Sequence, residues 1–224
     1  REATDLEYAA MIKTALDMYT LTPQQIDGAI MASVVPTITN TLKRAIEKLI
    51  GIETLVVGPG IKSGLSIRID NPAQLGSDLV AEAVGALQEY PLPQIIIDMG
   101  TATTFSVIDQ HGFYVGGMIT AGMAISAEAL VRSTSQLSKV DFEKPKKLIG
   151  TNTVDCIKSG LMHATACSID GMAERIEAEL GQPCTVIITG GLAGVIKPLC
   201  KRGMILDEDL ILKGLLHIYH KNCR

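Results

Sequence analysis

The stretch at residues 95–109, IIIDMGTATTFSVID, constrains the fold of this chain more than any other segment. An apolar run rich in isoleucine leads into Asp98, a turn of Gly and Thr follows, and a second apolar run resumes at Phe105. A third run, at residues 113–119, comes after the polar segment 109–112. This alternation predicts three short strands that pair as an antiparallel meander.

Asp98 falls where the first of these strands ends. Gly100 permits a close approach of the backbone, and Thr101 and Thr103 add short hydroxyl donors. A carboxylate in this place can hold a cation, and the turn can hold a phosphate oxygen. The same residues would also suit a hairpin whose Asp and Thr only satisfy the turn. Local chemistry leaves both interpretations open.

The rest of the chain alternates between helical and strand patterns. Before the meander we predict helices at 5–18, 39–49 and 79–87 and strands at 29–35 and 54–57; after it, helices at 122–130, 149–180, 192–199 and 207–219 and a strand at 184–188. This rhythm predicts an α/β fold with at least partly parallel pairing. The Pro-rich segment 90–94 is the best linker, so we place domains at 1–90 and 91–224.

Asp78 lies in the first turn of the apolar helix predicted after Gly76 and Ser77. A carboxylate there complements the helix dipole, and capping would explain it. The alternative is a general base held on a rigid element and facing a cleft.

Composition excludes several classes of partner. The formal net charge is −4, with 20 basic and 24 acidic residues and no basic block, so we expect neither a nucleic-acid nor an anionic membrane surface. No apolar run is long enough to span a bilayer, and no signal peptide is visible. The five cysteines form no CxxC pair, which indicates reduced thiols in a cytoplasmic protein.

Seven short motifs, in this order, resemble those of the bacterial type III pantothenate kinase family: GPGIKSG, DNPAQLGSD, IDMGTATT, GGMITAG, IGTNT, IITGG and DEDLILKGL. The resemblance covers nearly the whole chain. It implies the actin, Hsp70 and sugar-kinase superfamily, with two ribonuclease-H-like domains and a nucleotide cleft between them. It also implies a homodimer and phosphorylation of pantothenate by ATP, the first step of coenzyme A biosynthesis.

The resemblance assigns roles to individual residues. It implies that Asp78 is the catalytic base, which takes the proton of the primary hydroxyl of pantothenate. Asp98 would bind a monovalent cation, potassium or ammonium, and Thr101 would contact a nucleotide phosphate. The substrate contacts would be Gly76, Ser77, Asp78, Leu79 and Thr153. Magnesium would accompany ATP. Phosphoryl transfer needs mainly positioning and charge compensation, so no nucleophilic side chain is required.

The chain departs from the family pattern in two places that matter for function. The family begins with a strand and an Asp-x-Gly-Asn-Thr phosphate loop, which this numbering lacks, so we expect the first domain to be missing its N-terminal strands here. The family's Gly-Ala-Asp-Arg appears as Gly-Ser-Asp-Leu, and Leu79 cannot pair with the substrate carboxylate as arginine would. Arg68 is a candidate for the missing charge.

These departures keep two alternatives open. Leu79 favours a kinase of the same superfamily that acts on another small hydroxylated substrate. The missing phosphate loop favours a non-catalytic regulatory relative that retains the fold.

Overall fold

A computed structural model of the chain describes residues 3–132 and 141–223. Its contacts divide the chain into two compact units, each built from separate segments. Unit 1 comprises Arg1–Gly64, Asn71–Gly85 and Ile211–Arg224, and unit 2 comprises Leu65–Asp70 and Ala86–Leu210. The ribonuclease-H-like domains proposed at 1–90 and 91–224 stay a prediction.

The described chain contains both helices and strands throughout its length. The helices are α1 Asp5–Met18, α2 Pro36–Ile50, α3 Ser77–Glu89, α4 Met123–Arg132, α5 Thr153–Leu180, α6 Ala193–Ile196 and α7 Leu210–Asn222. The strands are β1 Ala29–Met31, β2 Thr54–Val56, β3 Ser66–Ile67, β4 Gln94–Met99, β5 Ala102–Ile108, β6 Phe113–Ala121, β7 Thr185–Thr189 and β8 Ile205–Leu206. The predicted α/β class is confirmed.

Unit 1 contains a parallel pair of strands, β1 and β2, with α1 packed on α2. Thr4 caps α1 in a reciprocal box with Glu7, as expected for a Thr three residues before a Glu. Helix α2 begins at Pro36, three residues earlier than predicted, because the fixed φ of proline suits the first helical position. Strand β1 accordingly ends at Met31 and not at Val35.

Unit 2 is built on a six-stranded mixed sheet in the order β3-β6-β5-β4-β7-β8. Strands β4, β5 and β6 form the predicted antiparallel meander, and β7 adds to β4 in parallel. Strand β5 begins at Ala102, so Thr103 and Thr104 belong to the strand and not to the turn. The two-residue strands β3 and β8 were not predicted.

The main hydrophobic cluster of unit 2 lies on one face of this sheet. Alternate residues of β4 and β7 point toward the middle of α5, which contributes Met162 and Ile169. Helix α5 begins after Asn152, whose side chain accepts a hydrogen bond from the amide of Asp155, and ends at Gly181 in the left-handed conformation. The described residues include no helix long and apolar enough to cross a bilayer.

Candidate functional site

The segment Gly76, Ser77, Asp78 and Leu79 forms the start of α3 in unit 1. The Ser77 hydroxyl accepts a hydrogen bond from the amide of Ser33 at 3.0 Å and donates to the carbonyl of Ser33 at 3.1 Å. Because Ser33 follows the carboxyl end of β1, these two bonds fix the first turn of α3 to that end of the strand. The carboxyl ends of strands are where open α/β folds place their ligands.

A second hydroxyl completes this attachment. Thr39 donates to the Ser33 hydroxyl at 2.7 Å, and the amide of Val35 donates to the same oxygen at 3.3 Å. Sequence reasoning missed Ser33 and Thr39. Ser33 lies 44 residues before Ser77, and no local pattern connects the two.

Asp78 is half-buried at the first turn of α3. Its Oδ1 accepts a hydrogen bond from the amide of Leu79 at 2.9 Å. A Cβ on Gly76 would overlap this same oxygen, so glycine leaves room for the carboxylate. The structure therefore places Asp78 in the first turn of α3, as predicted, and its catalytic role stays a prediction.

The two residues considered for the substrate carboxylate differ in their surroundings. Leu79 is half-buried in the first turn of α3. Arg68, in unit 2, lies over the ring of Phe113 with its guanidinium carbon 3.3 Å from the ring centroid, and its amide donates to the carbonyl of Tyr114. The guanidinium of Arg68 thus makes a cation–π contact.

Asp98 lies near the carboxyl end of β4, in the row where β4 pairs with Thr104 of β5 and Thr189 of β7. Gly190 follows β7 with φ of 93°, and a Cβ there would overlap Asp98 Oδ1 and approach the amide of Met99 to 2.6 Å. A Cβ on Gly100 would come within 3.1 Å of Asp98 Oδ2. The absence of a side chain at Gly100 and at Gly190 therefore leaves room for the carboxylate.

Thr101 is exposed in the turn between β4 and β5. The carbonyl oxygens of Gly100 and Thr101 pack against Gly122, the residue before α4, where any side chain would collide with them. The turn is therefore held in place by the end of β6. Asp98 and Thr101 consequently lie at the same end of the unit 2 sheet, as the meander predicted.

Thr153 is the first residue of α5 and is exposed. Its position is fixed by Asn152, which also donates from its amide nitrogen to Asp155 Oδ2 at 2.7 Å. The predicted site residues are thus divided: residues 76–79 lie in unit 1, and Asp98, Thr101 and Thr153 lie in unit 2.

The oxygen-rich surroundings of Asp98 suit a hard cation. Potassium and ammonium are bound by carboxylate, hydroxyl and carbonyl oxygens, and Asp98 and Thr104 carry oxygens of the first two kinds. The Thr104 hydroxyl is buried and makes no hydrogen bond to any residue in the described part of the chain. Within those same residues no cluster of three or more His, Cys, Asp or Glu side chains marks a site for a divalent metal.

Comparison with known proteins identifies the family. The model of the type III pantothenate kinase family matches residues 1–175. Over 222 residues, 99% of this chain, the type III pantothenate kinase of Halalkalibacterium halodurans is 39% identical and that of Bacillus cytotoxicus 41% identical, with 87% and 85% of the relatives covered.

In fold, the chain is similar to the crystal structure of a conserved Baf family transcriptional activator from Campylobacter jejuni, with a TM-score of 0.57 at 18% identity, covering 92% of this chain and 88% of that one.

The chain is a phosphotransferase with an α/β fold. It belongs to the type III pantothenate kinase family, as the seven motifs predicted.

Proposed function

We propose that this protein transfers the γ-phosphoryl group of ATP to the primary hydroxyl of pantothenate, giving 4'-phosphopantothenate and ADP. This is the first step of coenzyme A biosynthesis. The observation that carries the proposal is the match of 222 residues at 38–41% identity to three relatives that are named type III pantothenate kinase.

Asp78 is the proposed general base. The pantothenate hydroxyl loses its proton to the Asp78 carboxylate while its oxygen forms a bond to the γ-phosphorus, and the bond from that phosphorus to the ADP oxygen breaks. Two features support this role: the carboxylate has a space kept open by Gly76, and its helix is anchored through Ser77 to Ser33. A rigid attachment matters because catalysis of this kind depends on position.

The remaining substrate contacts are assigned to Gly76, Ser77, Leu79 and Thr153. Leu79 offers the pantothenate carboxylate only an apolar surface. A charge-assisted hydrogen bond contributes about 1.5–3 kcal/mol, so its absence predicts weak binding of pantothenate. If another small hydroxylated molecule is the better substrate, Leu79 is the residue that explains it.

Thr101 is proposed to contact a nucleotide phosphate, and Asp98 to bind potassium or ammonium. The exposed turn that carries Thr101 packs against Gly122, and Gly100 and Gly190 leave room for the Asp98 carboxylate. When bound, such a cation compensates part of the negative charge of the phosphates. Magnesium is expected with ATP, and no ligand for it is assigned within this chain.

A second copy of the chain is the proposed partner. Among the described residues of unit 2, the most exposed large apolar side chains are those of Ile119 at 73%, Leu148 at 67% and Ile149 at 80%. Exposed apolar surface of this kind marks an interaction site when its members are contiguous. A homodimer would cover it, and light scattering after gel filtration should then give twice the chain mass of 23.9 kDa. We propose that this dimer acts in the cytoplasm.

The direct test is to incubate the purified chain with ATP, magnesium and pantothenate in potassium buffer. Formation of 4'-phosphopantothenate, detected by mass spectrometry, together with equimolar ADP would support the proposal. A panel of other small hydroxylated acids, and the carboxamide of pantothenate, tests the alternative substrate. Phosphorylation of one of those but not of pantothenate would overturn the proposed substrate and retain the reaction.

A further inference from the structure

We propose that the Thr104 hydroxyl is a second protein ligand of the monovalent cation at Asp98. The inference rests on the cation role proposed above for Asp98. It adds a residue to the site that the motifs do not single out, since Thr104 follows Thr101 and Thr103 in a run where any hydroxyl would look alike in sequence.

Strand pairing places the two residues side by side. Thr104 of β5 lies directly opposite Asp98 of β4 in the antiparallel register. Opposed residues in such a pair project from the same face of the sheet, with Cβ atoms about 4.5–5.5 Å apart. Thr189 of β7 flanks Asp98 on the other side. Oxygen-bearing side chains therefore form a row across three neighbouring strands.

The Thr104 hydroxyl oxygen is buried and finds no hydrogen-bond partner among the residues that the structure describes. Burying a hydroxyl in this way is unfavourable, and a valine of the same shape would avoid the cost in a strand. A ligand that uses the oxygen removes the cost. A bound ligand would therefore explain why residue 104 is a threonine, although stability alone favours valine there.

The chemistry of the row suits a large monovalent cation. Potassium accepts hydroxyl and carboxylate oxygens as ligands, and ammonium can donate hydrogen bonds to the same two atoms. The Asp98 carboxylate supplies the single negative charge that a monovalent ion needs. Gly190 lets the backbone approach Asp98 Oδ1 closely, which keeps the carboxylate in place.

The test compares Thr104→Val, Thr104→Ser and Thr103→Val in the whole chain. Thr103 is buried next to Thr104 but projects from the opposite face, so it is a matched control. Thermal melts are recorded with magnesium and a non-hydrolysable ATP analogue while potassium chloride replaces choline chloride at constant ionic strength. The potassium concentration that gives half the rise in melting temperature is the readout, and the potassium dependence of the kinase rate is a second one.

We expect Thr104→Val to need at least about fivefold more potassium, which corresponds to about 1 kcal/mol of binding free energy. In choline chloride alone the same variant should melt at or above the parent, because replacing an unpartnered buried hydroxyl by a methyl group is neutral or stabilising. Thr104→Ser and Thr103→Val should respond to potassium as the parent does.

The variant Asp98→Asn distinguishes the cation role of Asp98 from the ligand role of Thr104. If the parent shows no potassium effect, or Asp98→Asn retains it, the cation role of Asp98 fails and this inference fails with it. If Asp98→Asn loses the effect while Thr104→Val responds at the parental concentration, the role of Thr104 alone is overturned.

Discussion

The Asp78 carboxylate has two possible roles, one in stabilising the start of α3 and one as general base. A single substitution distinguishes them. Its hydrogen bond from the amide of Leu79 and its place in the first turn of α3 satisfy a structural role. The room that Gly76 leaves for the carboxylate and the anchoring of its helix are compatible with the proposed catalytic role. Asparagine keeps the size and the acceptor oxygen but cannot take a proton.

We therefore expect Asp78→Asn to melt close to the parent and to lose about 10²–10⁴-fold in kcat, the usual contribution of a general base. Steady-state assays of ADP release together with thermal melts measure both quantities. Ser77→Ala is the comparison, because it removes the two bonds to Ser33 and should lower stability as well as rate. Parental turnover by Asp78→Asn would leave Asp78 a purely structural residue.

Leu79 allows a gain of function to be predicted. Replacing it by arginine should lower KM for pantothenate at least about tenfold, since a charge-assisted contact of about 1.5–3 kcal/mol corresponds to a factor of ten or more. The effect should vanish with the carboxamide of pantothenate, which lacks the charge. Leu79→Met serves as the control of similar volume. An equal fall in KM for both compounds would show that Leu79→Arg acts by something other than pairing with the carboxylate.

The sequence predicted the position of single residues best where the signal was local. Asp78 was expected in the first turn of a helix and Asp98 at the end of a strand, and both lie there. The contacts of Ser33 with Ser77, and the approach of Gly190 to Asp98, could not be predicted, because they join segments 44 and 92 residues apart. Such contacts depend on how the elements pack, which periodicity does not encode.

At the scale of elements, apolar periodicity located every long helix and the whole meander, while boundaries depended on single residues. Pro36 begins α2 although it was expected to end a strand, because proline is compatible with both. Thr103 and Thr104 continue β5 because β-branched residues suit a strand as well as a turn. Strands β3 and β8 have two residues each, too few to give a pattern.

The crossing of α7 over α3 in unit 1 gives a prediction about packing. At Gly214 a Cβ would overlap the carbonyl oxygen of Ala81 and come within 3.0 Å of the amide of Gly85. Gly214→Ala must therefore separate the two helices, and we expect a loss of about 1–3 kcal/mol in the free energy of unfolding. Urea unfolding followed by circular dichroism measures it.

Gly171 in α5 is the matched control. Its Cβ would meet only the flexible end of Arg175, at 3.5 Å. Gly171→Ala should stabilise the chain by about 0.5–1 kcal/mol, because alanine is the better helix former. If both substitutions changed stability equally, helix propensity and not the close crossing would govern Gly214.

At the scale of the whole molecule, the five cysteines are free thiols in different environments. Burial, together with the nearby Asp170 carboxylate and the Cys167 thiol, raises the pKa of Cys200 to about 12. Cys167 is exposed. Since the thiolate is the reactive form, iodoacetamide at pH 8 should alkylate the exposed Cys167 much faster than Cys200, whose thiolate is scarce at that pH. Peptide mapping by mass spectrometry after short exposures gives the two rates, and comparable rates would contradict the raised pKa of Cys200.

Because unit 1 needs residues 211–224, the order of synthesis on the ribosome sets the order in which the units can form. All segments of unit 2 have left the ribosome once Leu210 has emerged, whereas the earlier segments of unit 1 must wait for α7. A nascent chain therefore carries the unpaired surface of α3, including Ala81 and Gly85, while unit 2 is translated. Nascent chains with exposed apolar surface are the ones that chaperones protect.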